Sequence, residues 1–211
     1  MTLAGQSVLE LLRHGVPDDA DRERVLDAAL EGFLDFGIRR TSMGEIARRS
    51  GLSPATLYRR FPRKDHVVWA VGLREAVRLI ERVDVEVDPA QTAEEQIVAL
   101  SLACMRELRS NALLRRLLAT EPEVLLPLLT IRGGAVLDLG RAYLAEVIRR
   151  LAERDEVTDT GVDAEQVAEM LARLALSMAL MPETCLPFDD EGSLRVFARR
   201  HLAGVLARPP T

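Results

Sequence analysis

Apolar residues recur at helical spacing along most of the chain. Over residues 22–36 they fall at Val25, Ala28, Ala29, Phe33 and Phe36, the stripe of a helix that buries one side. Gly37 follows, where a left-handed C-cap belongs. Ser42 and Glu45 stand in capping-box register at the head of a short helix over 43–50 that stops at Gly51. Ser53-Pro54 then restarts a helix, with serine as N-cap and proline at the tolerated first position, and Pro62 ends it after Phe61. From Arg63 the pattern predicts a long helix to about residue 81, with Val68, Val71, Leu73, Val77 and Ile80 on its apolar side.

Val83-Asp84-Val85-Glu86-Val87-Asp88 alternates with period two, a strand signature. A lone strand has no partner in a helical chain, so this stretch is expected to be an extended linker ending at Pro89. Beyond it the chain reads as helices throughout. Thr92 and Glu95 cap one that runs to about 110, and a second spans 111–120. Glu121-Pro122 opens a third that ends near 131, and Gly133-Gly134 separates it from a long helix to about 153. After an acidic loop over 155–162, Asp163 caps a helix to 181, and Asp190 opens a last one to about 207. Residues 1–20 read as an arm with a short helix capped by Ser7 and Glu10. Asp18, Asp19 and Asp21 are read as partners of a helix N-terminus rather than as a Mg²⁺ site.

Composition narrows the class. Of 211 residues, 48% are hydrophobic and 29% charged, which excludes wholesale disorder, and 4% aromatics with abundant Leu, Ala, Arg and Glu favours helix over strand. The longest apolar runs fall short of the ~18–20 residues of a membrane span, and the N-terminus lacks a secretory pattern. Cys104 and Cys185 have neither metal-site nor CxxC spacing. A reduced, cytoplasmic protein without membrane association, metal or cofactor is expected.

The net charge of −5 argues against a nucleic-acid partner until it is divided. Between Gly37 and Lys64 there are eight Arg and Lys against the single acid Glu45, whereas residues 84–211 carry 14 against 21 Asp and Glu. A local basic patch is the relevant footprint for DNA. Two short helices joined by a Gly-containing turn inside that patch form a helix-turn-helix pattern. Its buried face is expected to hold Met43, Ile46, Ala47, Leu52, Leu57 and Phe61, and its exposed face Ala55, Thr56, Arg59 and Arg60. Pattern and charge leave open an ordinary helical hairpin whose arginines merely solvate the surface.

The stretch from Arg24 to Ala29, with Phe33, Phe36-Gly37 and Thr41-Ser42-Met43-Gly44-Glu45-Ile46-Ala47, resembles the start of TetR-family transcriptional regulators. The resemblance continues through Ser50-Gly51-Leu52-Ser53-Pro54-Ala55-Thr56-Leu57-Tyr58-Arg59-Arg60-Phe61-Pro62-Arg63-Lys64. It covers about a quarter of the chain. It implies an all-α protein with an N-terminal three-helix DNA-binding head and a larger helical body for ligand binding and dimerisation. The corresponding division is an arm over 1–20, a head over 21–66 and a body over 67–211. It implies that the helix led by Ser53 enters the major groove of a double-stranded operator. Pro54, Ala55, Thr56 and Arg60 would then face bases or the groove wall, and Thr41 or Ser42, Tyr58 and Lys64 would hold phosphates. Gly44 occupies a position where some members carry a base-reading side chain, which shifts specificity toward Thr56, Arg60 and DNA shape.

The last two helices carry apolar seams at three-four spacing, Val167, Leu171, Leu174 and Met178 on one and Leu194, Phe197, His201 and Val205 on the other. Such a seam is either intramolecular or a subunit interface, and the resemblance implies a homodimer through these helices. It also implies a small-molecule effector inside the body. Trp69, Leu102, Met105, Leu118, Leu126, Tyr143, Leu144 and Met178 are the candidate walls, and with few charges among the apolar positions the effector is expected to be apolar. Catalysis finds no support: His14, His66 and His201 sit on different elements, and neither G-x-S-x-G nor a P-loop is present. A redox pair of Cys104 and Cys185 is disfavoured because cysteine within a helix is usually a small apolar filler. The expected function is a ligand-responsive, dimeric DNA-binding regulator of the repressor kind; the alternative is a helical ligand- or partner-binding protein with a non-functional head.

Overall fold

The computed structural model describes residues 20–87, 92–153, 163–181, 183–186 and 190–202, and the described residues contain helices and no strand. The head comprises α1 (Ala20–Phe36), α2 (Met43–Ser50) and α3 (Pro54–Arg60), and α4 (Lys64–Asp84) leads out of it. The body holds α5 (Ala93–Ser110), α6 (Ala112–Thr120), α7 (Pro122–Leu129), α8 (Gly134–Glu153), α9 (Ala164–Leu180) and α10 (Glu191–Phe197). A π-helical turn over Ala198–Leu202 follows α10.

Local signals set most boundaries. Gly37 and Gly51 have φ of 86° and 69°, the left-handed conformation that ends α1 and α2. Ser42 Oγ accepts the Glu45 N–H at 3.1 Å and Ser53 Oγ the Thr56 N–H at 3.1 Å, so each capping serine satisfies a donor of its helix's first turn. The box at Thr92 is complete, the Glu95 carboxylate returning to the Thr92 N–H at 3.0 Å. At Ser42 it is half-made, because the Glu45 carboxylate turns instead to Arg48 and Arg49. The period-two stretch after residue 82 does not become an extended linker at once: α4 continues through Asp84 and a turn covers Val85 and Glu86. Helix hydrogen bonding carried forward from the preceding turns of α4 prevails there over the strand-like alternation. The expected arm, the acidic loop over 155–162 and the end of the last helix lie outside the described residues.

Apolar burial divides the interior into three clusters. The first is the head: Val25, Leu26, Phe33, Met43, Ile46, Ala47, Leu57 and Phe61 close on Val67, Ala70 and Val71 of α4. Leu117 of α6 and Leu125 of α7 also belong to it, so the body reaches into the head's core. The second joins the far half of α4, through Ile80 and Val83, to α5, α8 and α9. The third packs Val98, Leu102 and Met105 of α5 against Leu194 and Ala198. Helix α4 therefore contributes one end to each large core, the arrangement that lets its tilt be felt at both.

Candidate nucleic-acid interface and body cavity

Helix α3 stands on Leu57, which is fully buried, while Ser53, Pro54, Ala55, Tyr58 and Arg59 are exposed. Proline at the first turn presets the backbone, and Ser53 caps it, leaving the N-terminal side of a seven-residue helix open to a large partner. Tyr58 remains half-exposed, its ring anchored beside a rigid core. Arg40 and Arg59 are exposed and make no ion pair among the described residues.

Other positions that sequence reasoning assigned to DNA are occupied differently. Thr41 has no accessible surface: its Oγ1 donates to the Gly37 carbonyl at 2.7 Å and its methyl faces Gly32, where a Cβ would come within 2.7 Å of Thr41 Cγ2. It cannot hold a phosphate, and Ser42, exposed beside it, is the only hydroxyl of the pair that can. Arg60 folds back from α3 onto Asp21 of α1, 3.4 Å away, so its guanidinium braces the head rather than facing outward. The helical register explains this, since Arg59 and Arg60 are a hundred degrees apart and only one can share the outer face. Thr56 is half-buried with its hydroxyl 3.0 Å from Ser53 Oγ. Lys64 donates from Nζ to the Arg39 carbonyl at 3.2 Å, and partial burial holds its ammonium below the usual lysine range.

Much of the basic patch is already countered. Arg48 and Arg49 share the carboxylate of Glu45, whose pKa those hydrogen bonds hold down at about 2. Arg49 also reaches Asp35 at 2.8 Å and stacks 5.3 Å over the Phe36 ring. Arg63 pairs with Asp65.

Among the described residues, two largely buried polar side chains, Arg74 and Glu121, add to the apolar contacts that tie the head to the rest of the chain. Arg74 of α4, only 9% exposed, lies 3.0 Å from Glu23 and 2.8 Å from Asp27 of α1. The second tie is Glu121, buried between α6 and α7. Its carboxylate accepts the Ile38 N–H at 2.7 Å and the Arg39 N–H at 3.1 Å, in the turn just ahead of α2. Glu123 pairs with the Arg39 guanidinium at 2.9 Å, and Arg116 donates to the Asp35 carbonyl at 3.0 Å. The Arg39 peptide is thus held by the body through its N–H and by the start of α4 through its carbonyl. Sequence reasoning read Glu121 only as a helix opener; no local signal marks a partner 83 positions away.

Between α4, α5, α8, α9 and α10 lies an apolar cavity of about 220 Å³. Met105, Tyr143, Leu144 and Met178 line it, as expected for an effector pocket, together with Leu79, Ile80 and Val83 of α4 and with Ser101 and Cys104 of α5. Trp69, Leu102, Leu118 and Leu126 lie outside it. Leu102 packs toward α10, Leu118 against the head's core, and Leu126 is exposed. Trp69 sits half-buried near the head end of α4. Burial pushes the Cys104 thiol up to about 11, while Cys185 is exposed.

The seams of α9 and α10 face two ways. Val167 and Leu194 are buried in the protomer's own core, and Leu171, Leu174, Met178 and Phe197 line the cavity. His201 is exposed with its ring 4.9 Å from Phe197, and Val205 lies outside the described residues. The outward apolar stripe is instead Met170 and Leu174 of α9 with Met181 at its C-cap, and Val196 of α10 is exposed as well. No group of three or more His, Cys, Asp or Glu among the described residues is arranged to hold a metal, and none of their helices is long and apolar enough to cross a membrane.

Two family models match the chain. Residues 25–71 match "Bacterial regulatory proteins, tetR family", and residues 93–189 match the "Bacterial Tetracyclin repressor, C-terminal domain". An uncharacterised helix-turn-helix-type transcriptional regulator of Mycobacterium bovis is 32% identical over 78 residues, which is 37% of this chain and 41% of the length of that relative. A second uncharacterised regulator, from Mycobacterium tuberculosis, is 28% identical over 76% of this chain and 75% of its own. Among solved structures, the Rhodococcus erythropolis transcriptional repressor QsdR superposes with a TM-score of 0.64 at 23% identity, covering 92% of this chain and all of that one. The Dietzia repressor AlkX, implicated in biodegradation of n-alkanes, superposes with a TM-score of 0.65 at 22% identity, over 88% and 94% of the two chains.

Proposed function

The chain belongs to the TetR family of bacterial regulatory proteins, and we propose that it is a DNA-binding transcriptional repressor released from its operator by a small apolar effector. The observation that carries the reading is the outer face of α3, with Pro54, Ala55, Tyr58 and Arg59 presented from a rigid core and unengaged by the head itself. Ser42, Ser53 and Tyr58 are assigned to phosphates, with the capped N-termini of α2 and α3 adding oriented N–H donors. Arg59 joins Ala55 and Thr56 as a base-facing candidate, because a guanidinium reads guanine edges in the major groove.

A two-fold dimer is part of the same reading. Met170, Leu174 and Met181 form an exposed apolar stripe along α9 and its C-terminal cap, and with the exposed Val196 of α10 they are the surface a second copy would cover. The two heads would then meet successive major grooves ~34–36 Å apart, on a palindromic operator. The apolar cavity is the effector site. Its walls come from the body end of α4 and from helices of the stripe, so a ligand that fits one arrangement better than the other changes the spacing of the heads.

The test is fluorescence anisotropy of the purified protein against DNA from upstream of its own coding sequence and against scrambled DNA. Specific binding at physiological salt, lost on Arg59→Ala with Tyr58→Phe, is expected. Equal binding to both DNAs would favour the helical protein with a non-functional head.

A further inference from the structure

The polar side chains of the cavity wall are few, and both of its hydroxyls already donate their protons elsewhere. Tyr143 donates its hydroxyl to Asp84 Oδ1 at 3.1 Å, and Ser101 donates its own to the Ile97 carbonyl at 2.7 Å. Where the cavity reaches either oxygen, it therefore meets a lone pair and not a proton. Burial and the Asp84 carboxylate raise the Tyr143 phenol above its usual range, so it stays a neutral donor to Asp84. Burial likewise keeps the Cys104 thiol neutral. Among the described residues no Lys, Arg or His lines the cavity. Asp84 is no bare anion either: it carries the Tyr143 hydroxyl, and Arg150 lies 3.7 Å away.

We infer that the cavity selects a neutral apolar molecule bearing a hydrogen-bond donor, an alkanol or alkylphenol by class, and rejects carboxylates. A carboxylate taken into this wall would lose its water and find no cation, and only the weak Cys104 thiol as a donor, in return. A hydroxyl would give its proton to Tyr143 Oη or Ser101 Oγ, and its alkyl chain would lie against Leu79, Leu144 and Met178. An ammonium would find lone pairs but no unengaged negative charge. The inference rests on the cavity being the effector site.

The experiment uses the full-length protein and the neutral fluorescent probe N-phenyl-1-naphthylamine, which brightens in apolar surroundings. Probe binding abolished by Met105→Trp, which fills the cavity, places the probe there. Three competitors of one chain length are then compared at a pH well above the carboxylate range: 1-octanol, its methyl ether and octanoate. Octanol is expected to displace the probe about three- to tenfold more effectively than the ether, the worth of one ordinary hydrogen bond, and more than about tenfold more effectively than octanoate. Tyr143→Phe should narrow the gap between octanol and ether. Octanoate competing as well as octanol would overturn the inference and leave the effector site standing. A probe that binds equally to wild type and Met105→Trp would instead remove the cavity as a ligand site. The competitor series needs no variant, so a poorly folding Tyr143→Phe leaves the decision intact.

Discussion

Replacing Glu121 by alanine should destabilise the protein through a turn that lies 83 positions away. The Ile38 N–H is buried and gives its hydrogen to Glu121 at 2.7 Å; the Arg39 N–H, nearer solvent, does so at 3.1 Å. A buried donor stripped of its acceptor costs ~1–3 kcal/mol, and one that water can reach costs less, so the expected loss is about 2–4 kcal/mol. Gly37 supplies the internal control. Its φ of 86° already disfavours a side chain, and a Cβ there would stand 2.7 Å from Glu121 Oε1. Gly37→Ala should cost ~1–2 kcal/mol for the left-handed backbone, plus ~1–2 kcal/mol for crowding a carboxylate that cannot retreat without releasing its hydrogen bonds. Once Glu121 is alanine the crowding vanishes and only the backbone cost remains. The double variant should therefore be more stable than the sum of the singles by ~1–2 kcal/mol, beyond the ~0.3–0.5 kcal/mol scatter of independent sites. Urea unfolding at a fixed protomer concentration, followed by circular dichroism, measures all four corners of the cycle. Additive losses would refute the crowding of a Gly37 side chain against Glu121, and a Glu121→Ala variant as stable as the wild type would refute the hydrogen-bond penalty.

Further outcomes follow from other sites. Arg59→Ala should relax operator preference at particular base pairs by ~1–3 kcal/mol, whereas Arg60→Ala, which removes the brace to Asp21, should lower thermal stability with less effect on discrimination; a binding-site selection with each variant separates the two. Leu174→Glu with Val196→Glu would bury unpaired like charges in the proposed subunit contact and should yield monomers in sedimentation, whereas a persisting dimer would place the interface elsewhere. Cys185 should react with a maleimide within the native protein while Cys104 stays protected until unfolding, as mass spectrometry of peptides would reveal.

What the sequence discloses depends on how far apart the interacting residues are. Ser42, Ser53, Gly37 and Gly51 mark helix ends through contacts within a few residues, so the head could be drawn almost in full before any coordinates. The core positions Ile46, Ala47 and Leu57 follow from the same short-range periodicity. Thr41 misleads because a hydroxyl near a basic patch looks like a phosphate ligand, and only the close approach to Gly32 reveals that it is enclosed. Arg60 misleads because two adjacent arginines look alike in sequence while the helix sends them to different faces. In α9 apolar residues occur on more than one side, so spacing finds the stripe but not which part meets the protomer's own core. The donor-poor character of the cavity was hidden for a related reason. Ser101 and Tyr143 read as ordinary polar residues until the destinations of their protons, Ile97 and Asp84, are known.

The tie between Glu121 and the turn at residues 37–39 also bears on how freely such proteins exchange parts. Glu121 grips peptide N–H groups, which every residue but proline possesses, and takes no account of the side chains at Ile38 and Arg39. Only Gly37 is constrained, by its backbone conformation and by the carboxylate beside it. A foreign head grafted onto this body would keep this one tie if it brought a glycine at that place and no proline at the next two. The same graft would still have to match the side chains that meet Leu117, Leu125, Arg74 and Glu123, so the backbone tie is the most transferable part of the junction and the apolar and ionic contacts the least.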